Sequence, residues 1–218
     1  MMLSPLFKKS ILFLLASLLI GCGTREIKRD LIPPPPPYKP KNVFAPKETI
    51  PLRRVVLLPI YFEERDAPFL LSLEDIFSCE LIKNACFEVV TASKEEMAQL
   101  FGKQQINSSS NFPQNFFPLL NNKYDADGVI FIDLLRYQPY KPIIIGIRAK
   151  LVEIKTGKIL WAFDNIFDAG SPRVSYAAKL FQMKNEQQDY PLDNSDSILH
   201  SPSKFSKYVA SEAFKTLP

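Results

Sequence analysis

Residues 143–167 read IIIGIRAKLVEIKTGKILWAFDNIF, and the pattern within them decides the fold. Ile143, Ile145, Ile147, Ala149 and Leu151 fall on one side of an alternation that puts Arg148 and Lys150 on the other. A period of two over this length predicts a strand with one dry face and one partly wet face. Thr156-Gly157, set between Ile154 and Lys158, is a tight-turn signal. Beyond it Trp161, Phe163 and Phe167 share a face again, so the chain returns beside itself as a hairpin. Just upstream, residues 128–137 (GVIFIDLLRY) are apolar in both phases, the mark of a strand covered on both sides. Three successive strands therefore make an antiparallel meander that needs cover from other elements.

The flanking sequence provides that cover. Residues 53–62 (RRVVLLPIYF) read as another doubly buried strand, in which Pro59 has no N–H to give and must interrupt the ladder. Leu70, Leu73, Ile76, Phe77 and Leu81 recur at helical spacing within 69–83, and residues 87–91 (FEVVT) form a short strand. Ser93 and Glu96 make a capping box for a helix through Met97, Leu100 and Phe101, and another helix over about 114–121 follows Pro113. A helix at 174–182 precedes the closing amphipathic helix through Phe205, Tyr208, Val209, Glu212 and Ala213. The expected order is β-α-β-α-α-β-β-β-α. This is an α+β, three-layer arrangement: a mixed sheet with a β-α-β start and a C-terminal antiparallel meander packed by helices. Residues 103–112 and 184–200 are polar and lack an apolar period, so they are expected to be surface loops for partner recognition that the core does not need.

The amino terminus reads as an address. Lys8 and Lys9 precede a ten-residue apolar run, Ile11 to Ile20, which ends at Gly21-Cys22. A membrane-spanning helix needs about 20 apolar residues, so this run is an export signal rather than a permanent anchor. Residues 19–22 (LIGC) resemble the lipobox of bacterial lipoproteins, which implies acylation of Cys22, palmitate among the chains, and a membrane anchor without a span. By the same resemblance, Gly23 rather than aspartate after the cysteine implies delivery to the outer membrane, facing the periplasm. Pro33 to Pro37, with Pro40, Pro46 and Pro51, favours extended polyproline II and forbids helix. The expected organisation is a signal peptide over 1–21, a lipidated cysteine and proline-rich tether over 22–52, and one domain over 53–218.

Charge and side-chain chemistry narrow the function. The chain carries a net charge of +4, but Lys8, Lys9 and the basic excess of residues 23–50 account for all of it. A body near neutrality has no field to gather phosphates, so a nucleic-acid partner is not expected. A single histidine, His200, leaves no basis for a histidine-centred triad or a His-rich metal site, and no cofactor is expected. Asp125 and Asp127 read as turn and strand-entry caps rather than an acid–base pair. Asp133, inside an apolar strand, must find a partner, and Arg148 or Arg136 is expected to pair with it. Glu63, Glu64 and Asp66 read as a solvated acidic loop. Cys79 and Cys86 leave two readings open: a disulfide, if the chain is exported, or two buried thiols.

Four phrases resemble bacterial envelope proteins typified by the TolB amino-terminal domain, the curli channel CsgG and periplasmic activator lipoproteins of peptidoglycan synthases. They are residues 54–59 (RVVLLP), 87–91 (FEVVT), 124–130 (YDADGVI) and 149–161 (AKLVEIKTGKILW). The resemblance spans about 53–170 plus the closing helix, and its phrases are structural rather than catalytic. It implies a non-enzymatic outer-membrane lipoprotein that binds another envelope component, such as a peptidoglycan synthase or a Tol-type protein, as an assembly or regulatory factor. The alternative it leaves open is an auxiliary lipoprotein subunit of an ABC-type lipid or export transport system. No spare pair of long alternating strands is present for a CsgG-type pore.

Overall fold

The structure, a computed structural model, describes residues 33–46, 51–63, 68–185 and 196–218. Its meander consists of β4 (Gly128–Gln138), β5 (Ile144–Glu153) and β6 (Ile159–Asp168), paired antiparallel in the expected order. The Thr156-Gly157 turn closes the hairpin, with Gly157 at φ +70, a conformation that favours glycine. On the other side of β4 lies β2 (Arg54–Leu57), parallel both to it and to β3 (Glu88–Thr91). The full sheet runs β1-β6-β5-β4-β2-β3, where β1 is the two-residue strand Val43–Phe44. Pro59 interrupts the ladder as expected: Leu58 N donates to Ile130 O and Tyr61 N to Ile132 O, and the missing donor lies between them.

Helices cover the two faces with separate cores. On one face, α1 (Leu70–Asn84), α4 (Pro172–Asn185) and α5 (Pro202–Phe214) enclose Trp161, Phe163 and Phe167, all buried. Trp161 is fully buried and donates its indole N–H to Thr216 Oγ1 at 3.0 Å, so its own polar atom is paired. This strand face is core, not an exposed aromatic platform. On the other face, α2 (Lys94–Phe101) and α3 (Phe116–Tyr124) bury Met97, Phe116 and Leu120 against Val56, Val129 and Phe131. The capping box forms: Glu96 N donates to Ser93 Oγ, and Ser93 N to Glu96 Oε2, both at 3.1 Å.

The boundary expected at residue 53 is corrected. Residues 36–218 form one compact unit. Within the stretch read as a tether, Val43 and Phe44 pair with Phe163 and Ala162 of β6, and the Tyr38 ring meets Phe167 edge-on at 5.3 Å. The physical reason is an open sheet edge. Among the described residues β6 has no other neighbour on that side, and a proline-rich segment, already extended, can lie along such an edge at small entropic cost. Cys22 and residues 23–32 fall outside the described residues, as do 47–50, the Glu64 and Asp66 positions, and 186–195 of the second insert.

Candidate binding cleft

Strand β2 has β3 on one side and β4 on the other, with α1 over one face and the α2–α3 pair over the opposite one. Such a reversal of strand order opens a crevice at the carboxyl ends of parallel strands. Here it is a cleft of about 530 Å³ between Tyr61 and the loop that joins α2 to α3. Phe101, Phe112 and Phe116 form its apolar wall, while Gln105, Asn107 and Asn111 line the polar one.

What holds that loop in place is Asp133. The carboxylate is fully buried in mid-strand, and its partner is not arginine. Ser108 N donates to Oδ1 at 2.9 Å and the Ser108 hydroxyl to Oδ2 at 2.6 Å. Arg148, cross-strand from Asp133, turns outward to Asp164 at 2.8 Å, whereas Lys150 donates to the Ser108 carbonyl at 2.9 Å. The expected Asp133–arginine pair is thus replaced by a loop latch, because a short backbone N–H and hydroxyl reach a buried carboxylate without dragging a guanidinium out of water. Burial pushes the Asp133 carboxyl up, opposed by the two Ser108 bonds and the charges of Arg148 and Lys150.

The loop is therefore part of the fold, contrary to the reading of 103–112 as dispensable. Gln105, Ile106 and Ser108 are buried, and Phe112 stacks on Phe116 and Phe131. The second insert is likewise tied down where it is described: Ile198 is buried and its N–H meets Gln182 Oε1 at 3.1 Å, while Lys179 pairs with Asp196. The described parts of the two inserts attach to different faces, since Ile106 belongs to the core on one sheet face and Ile198 to the core on the other. The hairpin turn lies against α3: a side chain at Gly157 would meet Phe117 at 3.8 Å.

The remaining candidates take structural posts. Asp127 Oδ2 accepts from Arg53 N at 2.9 Å and Arg54 N at 3.2 Å, capping the entry to β2. Asp125, left-handed at φ 50, ends α3 and pairs with Arg53 at 2.7 Å, whose hydrogen bond holds its carboxyl below the usual range. Cys79 and Cys86 fit neither reading: both are exposed and both are free thiols. Cys79 lies on the exposed side of α1, and Cys86 lies in the exposed connection that follows the helix. Among the described residues no group of three or more His, Cys, Asp or Glu could hold a metal ion.

A second polar latch escaped the sequence reading. Asn165, mid-strand in β6 and buried, accepts from Tyr38 OH at 3.2 Å and Lys41 N at 3.3 Å, and donates to Asn42 O at 3.1 Å. An asparagine inside a strand is the signal that could have revealed it, since the residue is depleted there unless its amide has work to do.

No family model matches the chain, and no curated protein does. Among solved structures it is similar to the lipoprotein GNA1162 of Neisseria meningitidis, at 18% identity over 61% of this chain and 97% of that one, with a TM-score of 0.41. It is also similar to the hypothetical protein CT253 of Chlamydia trachomatis, at 15% identity over 75% of this chain and 91% of that one, TM-score 0.42. A third likeness is to the PelC dodecamer of Paraburkholderia phytofirmans, at 12% identity over 76% and 86% of the two chains, TM-score 0.38. These are likenesses of chain path, and the functional reading below rests on this chain's own residues.

Proposed function

We propose that this chain is a lipid-anchored protein of the bacterial envelope, held at the periplasmic face of the outer membrane through Cys22, that works by binding rather than by catalysis. The observation that carries the anchor is the ten-residue apolar run ending in residues 19–22 (LIGC). The binding reading draws on how the carboxylates are used. Asp125, Asp127 and Asp133 are each committed to backbone or loop contacts that the fold needs. With residues 36–46 laid along the body, residues 23–35 are the reach that remains, a ceiling of about 45 Å for fully extended chain.

Replacing Cys22 by Ser tests the anchor. The expected outcome is release of the protein from the membrane fraction or accumulation of unprocessed precursor, and unchanged outer-membrane fractionation would overturn it. Crosslinking of the intact protein in cells tests the partner: a peptidoglycan synthase or Tol-type component supports an assembly role, whereas transporter subunits would replace it with the transport reading.

A further inference from the structure

We propose that the cleft between Tyr61 and the 103–113 loop is a sugar-binding site that takes a short run of pyranose rings. This deepens the binding reading and rests on it, and it begins with what the cleft contains. Its polar wall is built of carboxamides and hydroxyls, among them Gln105, Asn107, Asn111 and Ser110, and among the described residues Lys103 is the one charged side chain that lines it. A carboxamide offers a donor and an acceptor side by side, and so does each hydroxyl of a sugar. A phosphate or carboxylate ligand is held best by a concentration of donors and positive charge, and among the described lining residues Lys103 alone carries such a charge.

Gln105 is the sharpest indicator. The residue is only 7% exposed, and its Oε1 accepts from Phe62 N at 3.5 Å. Its amide nitrogen makes no hydrogen bond to any described group, and it is not among the fully buried polar atoms left without a partner. The donor therefore faces the cleft, fixed by a nearly buried side chain and open to whatever enters. Asn111, exposed at the rim, likewise spends its amide on no described group. Phe101 and Phe112 add apolar surface to the same lining, of the kind that packs against the C–H groups of a pyranose. A volume of about 530 Å³ lies within the usual span of small-ligand sites and fits one or two rings.

A peptide is the competing occupant, and the topology disfavours it. Extended peptides can bind by adding to a free strand edge, but Tyr61, which lines the cleft, is already bridged to Asp133 of β4. What the cleft offers is side chains, not a ladder. Lys103 at the mouth adds a preference for a sugar with an acidic substituent over its neutral counterpart.

The test uses the full acylated chain in a zwitterionic, sugar-free detergent, with saturation-transfer NMR against three probes: N-acetylglucosamine tetrasaccharide, hyaluronan tetrasaccharide and tetra-alanine. The expected result is transfer to the ring protons of both sugars, with the hyaluronan fragment bound more tightly and that advantage lost in Lys103→Ala. Asn111→Ala, a surface change that leaves the fold intact, should weaken either sugar by about five-fold, the loss of one hydrogen bond. Absence of transfer to both sugars at 10-fold excess over a millimolar concentration, about the weakest useful affinity, would overturn the proposal. So would transfer to tetra-alanine alone, or sugar binding indifferent to both Asn111→Ala and Gln105→Met. Membrane attachment is read separately, by fractionation, so failure here leaves the anchor untouched.

Discussion

Two segments that lack any apolar period are fastened to opposite faces of this sheet, and the fasteners differ in one respect that matters. On one face Asp133 grips the 103–113 loop through Ser108; on the other Asn165 grips residues 38–42 of the proline-rich stretch. Both are short polar side chains in mid-strand, both are buried, and both imitate a backbone partner for a segment that has none. One is ionisable and the other is not. The aspartate makes two charge-assisted bonds to a single residue, while the asparagine spreads three neutral bonds over three residues. Charge concentrates strength at the first latch and exposes it to pH; neutrality distributes the second along the segment.

The largest expected effect is at the charged latch. Asp133→Ala strips both acceptors from Ser108 while leaving its N–H and hydroxyl in a dry place, so about 3 kcal/mol of stability should be lost. Urea unfolding measures the loss, and limited proteolysis should show new cleavage within 103–112. A change confined to a few tenths of a kcal/mol would mean that Ile106 and Phe112 hold the loop without Asp133. By the same reasoning, replacing the loop by a Gly/Ser link should lower the melting temperature, opposite to what its polar composition alone suggests.

Sequence reading reached the regular parts of this molecule because their signals are local. The alternation in 143–151, the Thr156-Gly157 turn and the Ser93/Glu96 box each specify their own geometry within a few residues. What it missed are contacts between distant positions that carry no period. Asp133 reads as a buried charge in need of a partner, yet Ser108 is 25 residues away in a segment that reads as expendable. Val43 and Phe44 pair with β6 because an edge was open, and an open edge is a property of the assembled sheet rather than of either stretch. The cleft was legible only in part: its loop stood out as an insert, but its fixed donor, Gln105, did not.

A smaller loss is expected at the neutral latch. Asn165→Leu keeps the bulk of the side chain and removes all three bonds to residues 38–42, two of them to groups near solvent that water can satisfy. About 1 to 2 kcal/mol should go, with early protease cleavage in 36–46 and no new cleavage in 103–112. Equal cleavage of both segments would show that the latches are coupled through the sheet. Combining Asn165→Leu with Asp133→Ala should give the sum of the single effects within about 0.5 kcal/mol, since β5 separates the two strands.

The smallest effect separates the latches by pH. Burial raises the Asp133 carboxyl above its unfolded value, so protonation is favoured by folding. A raised carboxyl contributes stability that is whole below the unfolded pKa, about 3.9, and that is lost as pH rises through the folded one. The groups facing it are Ser108, Arg148 and Lys150, and the two cations oppose the shift without abolishing it. Asp133→Asn can still accept from Ser108 N and does not titrate. Measured from pH 4 to 7, wild-type stability minus that of Asp133→Asn should therefore fall as pH rises, whereas wild type minus Asn165→Leu should stay level, because neither side chain at 165 takes up a proton. Using differences removes the titration of Glu74, Glu96 and the other carboxyls, which both chains share. A level difference at position 133 would mean that Arg148 and Lys150 compensate the buried charge in full, and the two latches would then differ in geometry alone.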